Sequence, residues 1–155
     1  MRKPRTIDLA LIEGMGSPVW KIVFKTTTTR KNHIEHGIAA WNRLKHSGSH
    51  TFEDWMQVAL SLRIGQEESM RLAEIDRPQG SRYRKIFGEW LREFKFDDIN
   101  KGDRFLVLQI LEHRPEIEKF RASLPFDLYL NLNHPRAVWD RFKASQQQQS
   151  QEPPR

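Results

Sequence analysis

The chain has 155 residues and 18.4 kDa, with 26 Lys and Arg against 20 Asp and Glu, a net charge of +6 and a pI near 9.8. That length suits one compact domain with dressed ends better than two domains. Zero cysteines exclude a disulfide scaffold, a Cys-ligated zinc finger, an iron–sulfur site and a thiol nucleophile, and no stretch approaches the roughly 18 unbroken apolar residues of a membrane span.

A hydrophobic fraction of 37% supports a core, while a mean hydropathy of −0.73 predicts polar ends. The charge is unevenly placed. Residues 1–50 hold nine Lys and Arg against three Asp and Glu, and residues 51–155 hold seventeen of each sign. The whole excess therefore sits in the N-terminal third, as Arg2, Lys3, Arg5, Lys21, Lys25, Arg30, Lys31, Arg43 and Lys45. A basic segment beside a neutral body is the footprint of a nucleic-acid-binding arm. The same charge on a flexible end also raises solubility without binding anything. Residues 7–12 contain Asp8 and are short for a signal-peptide apolar core, so a cytoplasmic location is expected.

In chain order, residues 1–31 read as an extended or partly disordered basic arm. Ile7 to Ile12 and the β-branched and aromatic residues 19–24 form two candidate strands of a hairpin, with Gly14, Gly16, Ser17 and Pro18 at the turn. Thr26, Thr27, Thr28 and Thr29 read as an extended connector, because β-branching disfavours helix. The helical domain is expected over residues 32–145. Asn32 with Glu35 has capping-box spacing, and Ile34, Ile38 and Trp41 follow at helical intervals until Ser47, Gly48 and Ser49. Thr51 with Asp54 marks a second start, leading into Phe52, Trp55, Met56, Ala59, Leu60 and Leu62. Gly65 then reads as an interruption before a short helix with Met70, Leu72, Ala73 and Ile75.

The clearest stripe is Tyr83, Ile86, Phe87, Trp90, Leu91 and Phe94, one face of a helix starting near Ser81. A helix running to about His113 follows. Phe105, Leu106, Val107, Leu108, Ile110 and Leu111 make it apolar on most sides, so it is expected to be the most buried one. Pro115 suits a first helical turn. Ile117, Phe120 and Leu124 mark the next amphipathic helix, Pro125 opens a short one with Phe126, Tyr129 and Leu130, and Val138, Trp139 and Phe142 form the last apolar face. Residues 146–155, rich in Gln, have nothing apolar to bury and read as a disordered tail. The expected fold is all-α, a compact bundle of about seven or eight short helices.

Chemical motifs are sparse. There is no glycine-rich phosphate loop and no HExxH pattern. His33, His36, His46 and His50 fall within eighteen residues, but their spacing matches no dedicated metal site, and surface histidines beside a basic arm explain them. Glu67 and Glu68, and Asp97, Asp98 and Asp103, sit near expected helix starts, where acids complement the dipole. Trp41, Trp55, Trp90 and Trp139 occupy apolar faces and read as core, with Trp20 in the arm. No metal, cofactor or catalytic residue is expected.

Two segments have helix-turn-helix spacing. One pairs residues 52–62 with 66–74, and the other pairs 83–94 with 98–113. The second is favoured, because Asn100, Lys101 and Arg104 open its second helix and a basic cluster precedes it. In that cluster Ser81, Arg82, Arg84 and Lys85 sit at a helix start, where backbone N–H groups and cations together can grip a phosphate.

Phe87, Gly88, Glu89, Trp90 and Leu91, then Asp97, Asp98, Ile99, Arg104 and Leu108, with the later Glu116, Ile117, Glu118, Phe120, Arg121, Leu124, Leu132, Asn133, His134 and Pro135, carry a resemblance. Over residues 52–143 the chain resembles uncharacterised small helical proteins of bacterial, specifically alphaproteobacterial, prophages and mobile elements. The resemblance implies a bacterial cytoplasmic protein associated with DNA and brings no catalytic residue with it. The expected function is nucleic-acid binding, as a DNA-associated regulator acting mainly through phosphate contacts. The alternative is a non-enzymatic adaptor with a helical groove and an N-terminal segment that folds on a protein partner.

Overall fold

The structure, a computed structural model, describes residues 28–46, 51–151 and 153. Among these residues it is all helix and turn. The helices are α1 Thr28–His46, α2 Phe52–Ala73, α3 Ser81–Glu93, α4 Lys101–Glu112, α5 Arg114–Ala122, α6 Phe126–Asn131 and α7 Pro135–Gln151. The hairpin expected in residues 7–24, Trp20, the Ser47 to Ser49 stop and His50 lie outside the described residues.

The hub is α2. Its apolar residues point in every direction, with Phe52, Trp55, Met56, Val58, Ala59, Leu62 and Ile64 all buried, as a helix surrounded by others requires. On it pack α1, α3 and α4, while α7 closes over α4. The Thr51 side chain caps α2 by accepting from the Asp54 N–H, as the spacing predicts. Gly65 does not interrupt α2. It is buried mid-helix, where its missing side chain admits the Trp90 indole of α3. The first candidate helix-turn-helix is therefore one continuous helix.

The stripe on α3 becomes a row of rings. Tyr83 stacks on Phe87, Phe87 on Trp90 and Trp90 on Phe96. The turn after α3 has the Schellman pattern, with Lys95 left-handed at φ 64° and the Phe96 N–H donating to Leu91 O at 2.8 Å. That reversal tucks Phe96 beneath Trp90, fully buried.

Three further expectations change. First, α1 begins at Thr28 rather than at Asn32. The extra turn is held by Arg30, whose guanidinium meets Glu67 of α2 at 2.9 Å, so tertiary contact outweighs the poor helix propensity of threonine. Second, α4 is not the most buried helix, since Phe105 on its outer face is 62% exposed. Third, α7 continues through residues 146–151, with the Ser150 hydroxyl donating to Gln146 O at 3.0 Å. Glutamine is a good helix former, and no breaker intervenes before Pro153.

The lower part of the fold hangs on Arg121, 7% exposed. Its guanidinium donates to Leu132 O, Tyr129 O and Asn133 Oδ1. It lies over the Phe52 ring at 4.0 Å and the Tyr129 ring at 4.7 Å. A cation on the carbonyls that end α6 serves as a C-cap, and Asn133 Oδ1 also accepts the Phe52 N–H, tying this joint to the start of α2.

Candidate nucleic-acid interface

Helix polarity decides which cations share an end of the bundle. Three pairs set α1 antiparallel to α2: Arg30 with Glu67, Ser61 Oγ donating to His33 O at 2.9 Å, and Arg43 with Asp54. The helix α3 is antiparallel to α2 as well, because Tyr83 packs with Ala73 near the end of α2 while Trp90 sits on Gly65. The N-termini of α1 and α3 therefore both lie at the C-terminal end of α2. Residue 28, to which the basic segment is joined, and the cluster at residues 82–85 occupy one end of the molecule.

At that end α3 starts open. Gly80, at φ 100°, is the N-cap and offers no side-chain acceptor, and no acid stands in the first turn. The first helical bond is Arg84 N–H to Gly80 O, so the N–H groups of Ser81, Arg82 and Tyr83 lack intrahelical acceptors. Ser81, Arg82, Arg84 and Lys85 are exposed. Among the described residues no carboxylate lies within 4.0 Å of Arg82, Arg84 or Lys85. A dipole end and three cations without acidic partners together form a ready site for an anion.

The remaining site residues expected from sequence divide differently. Arg2, Lys3, Arg5, Lys21 and Lys25 lie outside the described residues. Lys31 and Lys101 are exposed. Arg30 is committed to Glu67 at 2.9 Å and approaches buried Glu68 at 4.0 Å. Asn100 caps α4, its side chain accepting from the Gly102 N–H at 2.8 Å. Arg104 is half-buried and donates to Ile99 O at 2.6 Å, and burial pulls its pKa below the usual arginine value against the raising influence of Asp97 and Tyr83. Asn100 and Arg104 thus build the turn between α3 and α4 rather than facing a groove. The two helices of this second candidate pair each pack on α2.

Sequence reading missed a cleft of about 570 Å³ near the opposite end, lined by Trp41 and Lys45 of α1, Trp55 of α2, Asp103 of α4, and Asn131 and His134 at the α6–α7 joint. Asp98 stands at its side, accepting from Trp41 Nε1 at 2.7 Å and Lys45 Nζ at 2.8 Å. Burial acts to raise the Asp98 pKa, but these two hydrogen bonds and the Lys45 charge outweigh it and hold the carboxyl below its ordinary value. The residues come from four separate segments, so no local motif announces them. Among the described residues no group of three His, Asp or Glu side chains is placed to hold a metal, and no helix is long and apolar enough to cross a membrane. No family model matches the chain, and no curated protein or solved structure matches it.

Proposed function

We propose that this protein binds nucleic acid as a cytoplasmic, DNA-associated regulator, gripping phosphates with Ser81, Arg82, Arg84 and Lys85 together with the basic residues of the N-terminal segment. One observation carries the reading. The attachment point of that segment and the uncapped, acid-free start of α3 share one end of the bundle. On this reading the cations that precede Thr28 in sequence and those at the start of α3 act on one polyanion, as phosphate-dominated binding needs. Membership of a group of prophage and mobile-element proteins is part of the same proposal. Asn100 and Arg104 leave the proposed interface, because the fold itself uses them.

The test is duplex binding at two salt concentrations. If six phosphates are contacted, log affinity against log salt has a slope of about −5. Arg82→Ala combined with Arg84→Ala weakens binding to all sequences alike, as phosphate contacts do. Absence of binding at low salt eliminates the reading.

A second reading rests on α6. Phe126, Tyr129 and Leu130, spaced to share one face, are 74%, 38% and 53% exposed. A non-enzymatic adaptor that receives a protein partner there is the alternative, and salt-insensitive capture of a protein partner without DNA binding would favour it.

A further inference from the structure

The cleft between α1 and the α6–α7 joint is incompletely satisfied by the protein's own groups. The Asp103 carboxylate, on a side chain 23% exposed, accepts no hydrogen bond from the described residues. Its nearest cationic neighbour is His134 Nε2 at 4.0 Å, charged only when protonated. His134 uses its other nitrogen locally, Nδ1 accepting the Arg136 N–H at 3.3 Å. Trp55, 5% exposed, forms part of the same wall. Lys45 is the one lysine in the lining, and Asp98 neutralises it at 2.8 Å. The guanidinium of Arg136 sits beside Gly102 and is not within 4.0 Å of the Asp103 carboxylate. The charge in the lining with no ion-pair partner but His134 is therefore the Asp103 carboxylate, in the first turn of α4.

Around it stand aromatic rings. Trp41 and Trp55 meet at 5.9 Å and 53°, and His134 abuts Trp55 edge-on at 5.4 Å. Tilted rings of this kind make the corner of a cage rather than a parallel slot for a flat base. The cleft already shows the chemistry it favours, since Lys45 Nζ rests 5.6 Å from the Trp41 ring centroid. An unpaired carboxylate beside electron-rich ring faces is the arrangement that holds an alkylammonium group through combined charge and cation–π attraction.

We propose that this cleft binds an organic ammonium group, with Asp103 as counter-ion and Trp41 and Trp55 as the aromatic wall. The site lies away from the α3 cluster, so it does not depend on nucleic-acid binding. The same chemistry is offered by a free diamine and by a lysine side chain of a peptide, and the two sources are separated by experiment.

The full chain without nucleic acid is titrated with putrescine and, separately, with N-acetyl-lysine amide. The indole N–H resonances are followed by NMR against sodium chloride at equal ionic strength. The Trp41 and Trp55 resonances are expected to shift saturably with the ammonium compounds and not with sodium chloride. Stronger binding of putrescine identifies a free amine as the ligand, and stronger binding of the lysine compound identifies a side chain. Asp103→Asn is expected to weaken binding about ten- to a hundredfold, the range for losing a charged hydrogen bond. Asp103→Glu, which keeps the charge, retains most of it and covers the case in which the amide variant fails to fold. Non-saturable shifts, or equal binding by folded Asp103→Asn, overturn the proposal.

Discussion

Gly65 and Trp90 touch with no room between them: a Cβ on Gly65 would lie 2.5 Å from Cδ2 and Cε3 of the indole. Trp90 is 1% exposed and sits between Phe87, Phe94 and Phe96, so the ring has nowhere to retreat. In an exposed helix, Gly→Ala gains about 1 kcal/mol of propensity. At this crossing the sign reverses. Gly65→Ala is expected to destabilise the protein by about 1–3 kcal/mol through overpacking, measured as a lower urea midpoint. A stabilised variant would show that α2 and α3 do not meet here.

The same crossing explains what the sequence could and could not disclose. The stripe from Tyr83 to Phe94 was legible because one helix buries one face, and the Thr51 cap and the turn at Pro115 were legible because their chemistry is local. Gly65 was not, since a glycine that breaks a helix and a glycine that admits a neighbour look alike until the neighbour is placed. Thr28 joined α1 because of Glu67, 39 residues away in sequence. The α3 cluster could be read as a run of cations at a helix start, but which end of the bundle it shares with α1 depends on helix polarity. The cleft at Asp103 draws on four segments and has no local signature at all.

Arg121 closes the joint between α5 and α6 with donors to three acceptors. Arg121→Met keeps much of the packing volume against Phe52 and Tyr129 but strips those acceptors of their donor. A loss of about 2–3 kcal/mol is expected, the scale for buried polar groups left unsatisfied. Hydrogen exchange at α6 should quicken more than exchange at α2. Uniform protection across the two helices would mean that Arg121 does not hold the joint.

Asp98 gives a pH signature. Its carboxyl is held below the ordinary value, where burial is outweighed by hydrogen bonds from Lys45 and Trp41. A group depressed in the folded state stabilises it above the unfolded value, and the contribution fades as pH falls through the folded value. The Trp41 indole N–H resonance should therefore titrate with a midpoint below the usual aspartate value of about 3.9. In Lys45→Met the midpoint should move upward. An unmoved midpoint would remove Lys45 as a cause.

The most direct measurement of the central claim is the salt dependence of duplex DNA binding by the native chain and by Arg82→Ala/Arg84→Ala/Lys85→Ala. All three side chains are exposed, so the stability of the variant should stay within about 0.5 kcal/mol per site. Weaker binding is expected at every sequence, with a salt slope shallower by about 0.9 for each phosphate that the variant leaves unneutralised. A variant that binds as the native chain does, with the same slope, or a native chain that binds no duplex at low salt, contradicts the account.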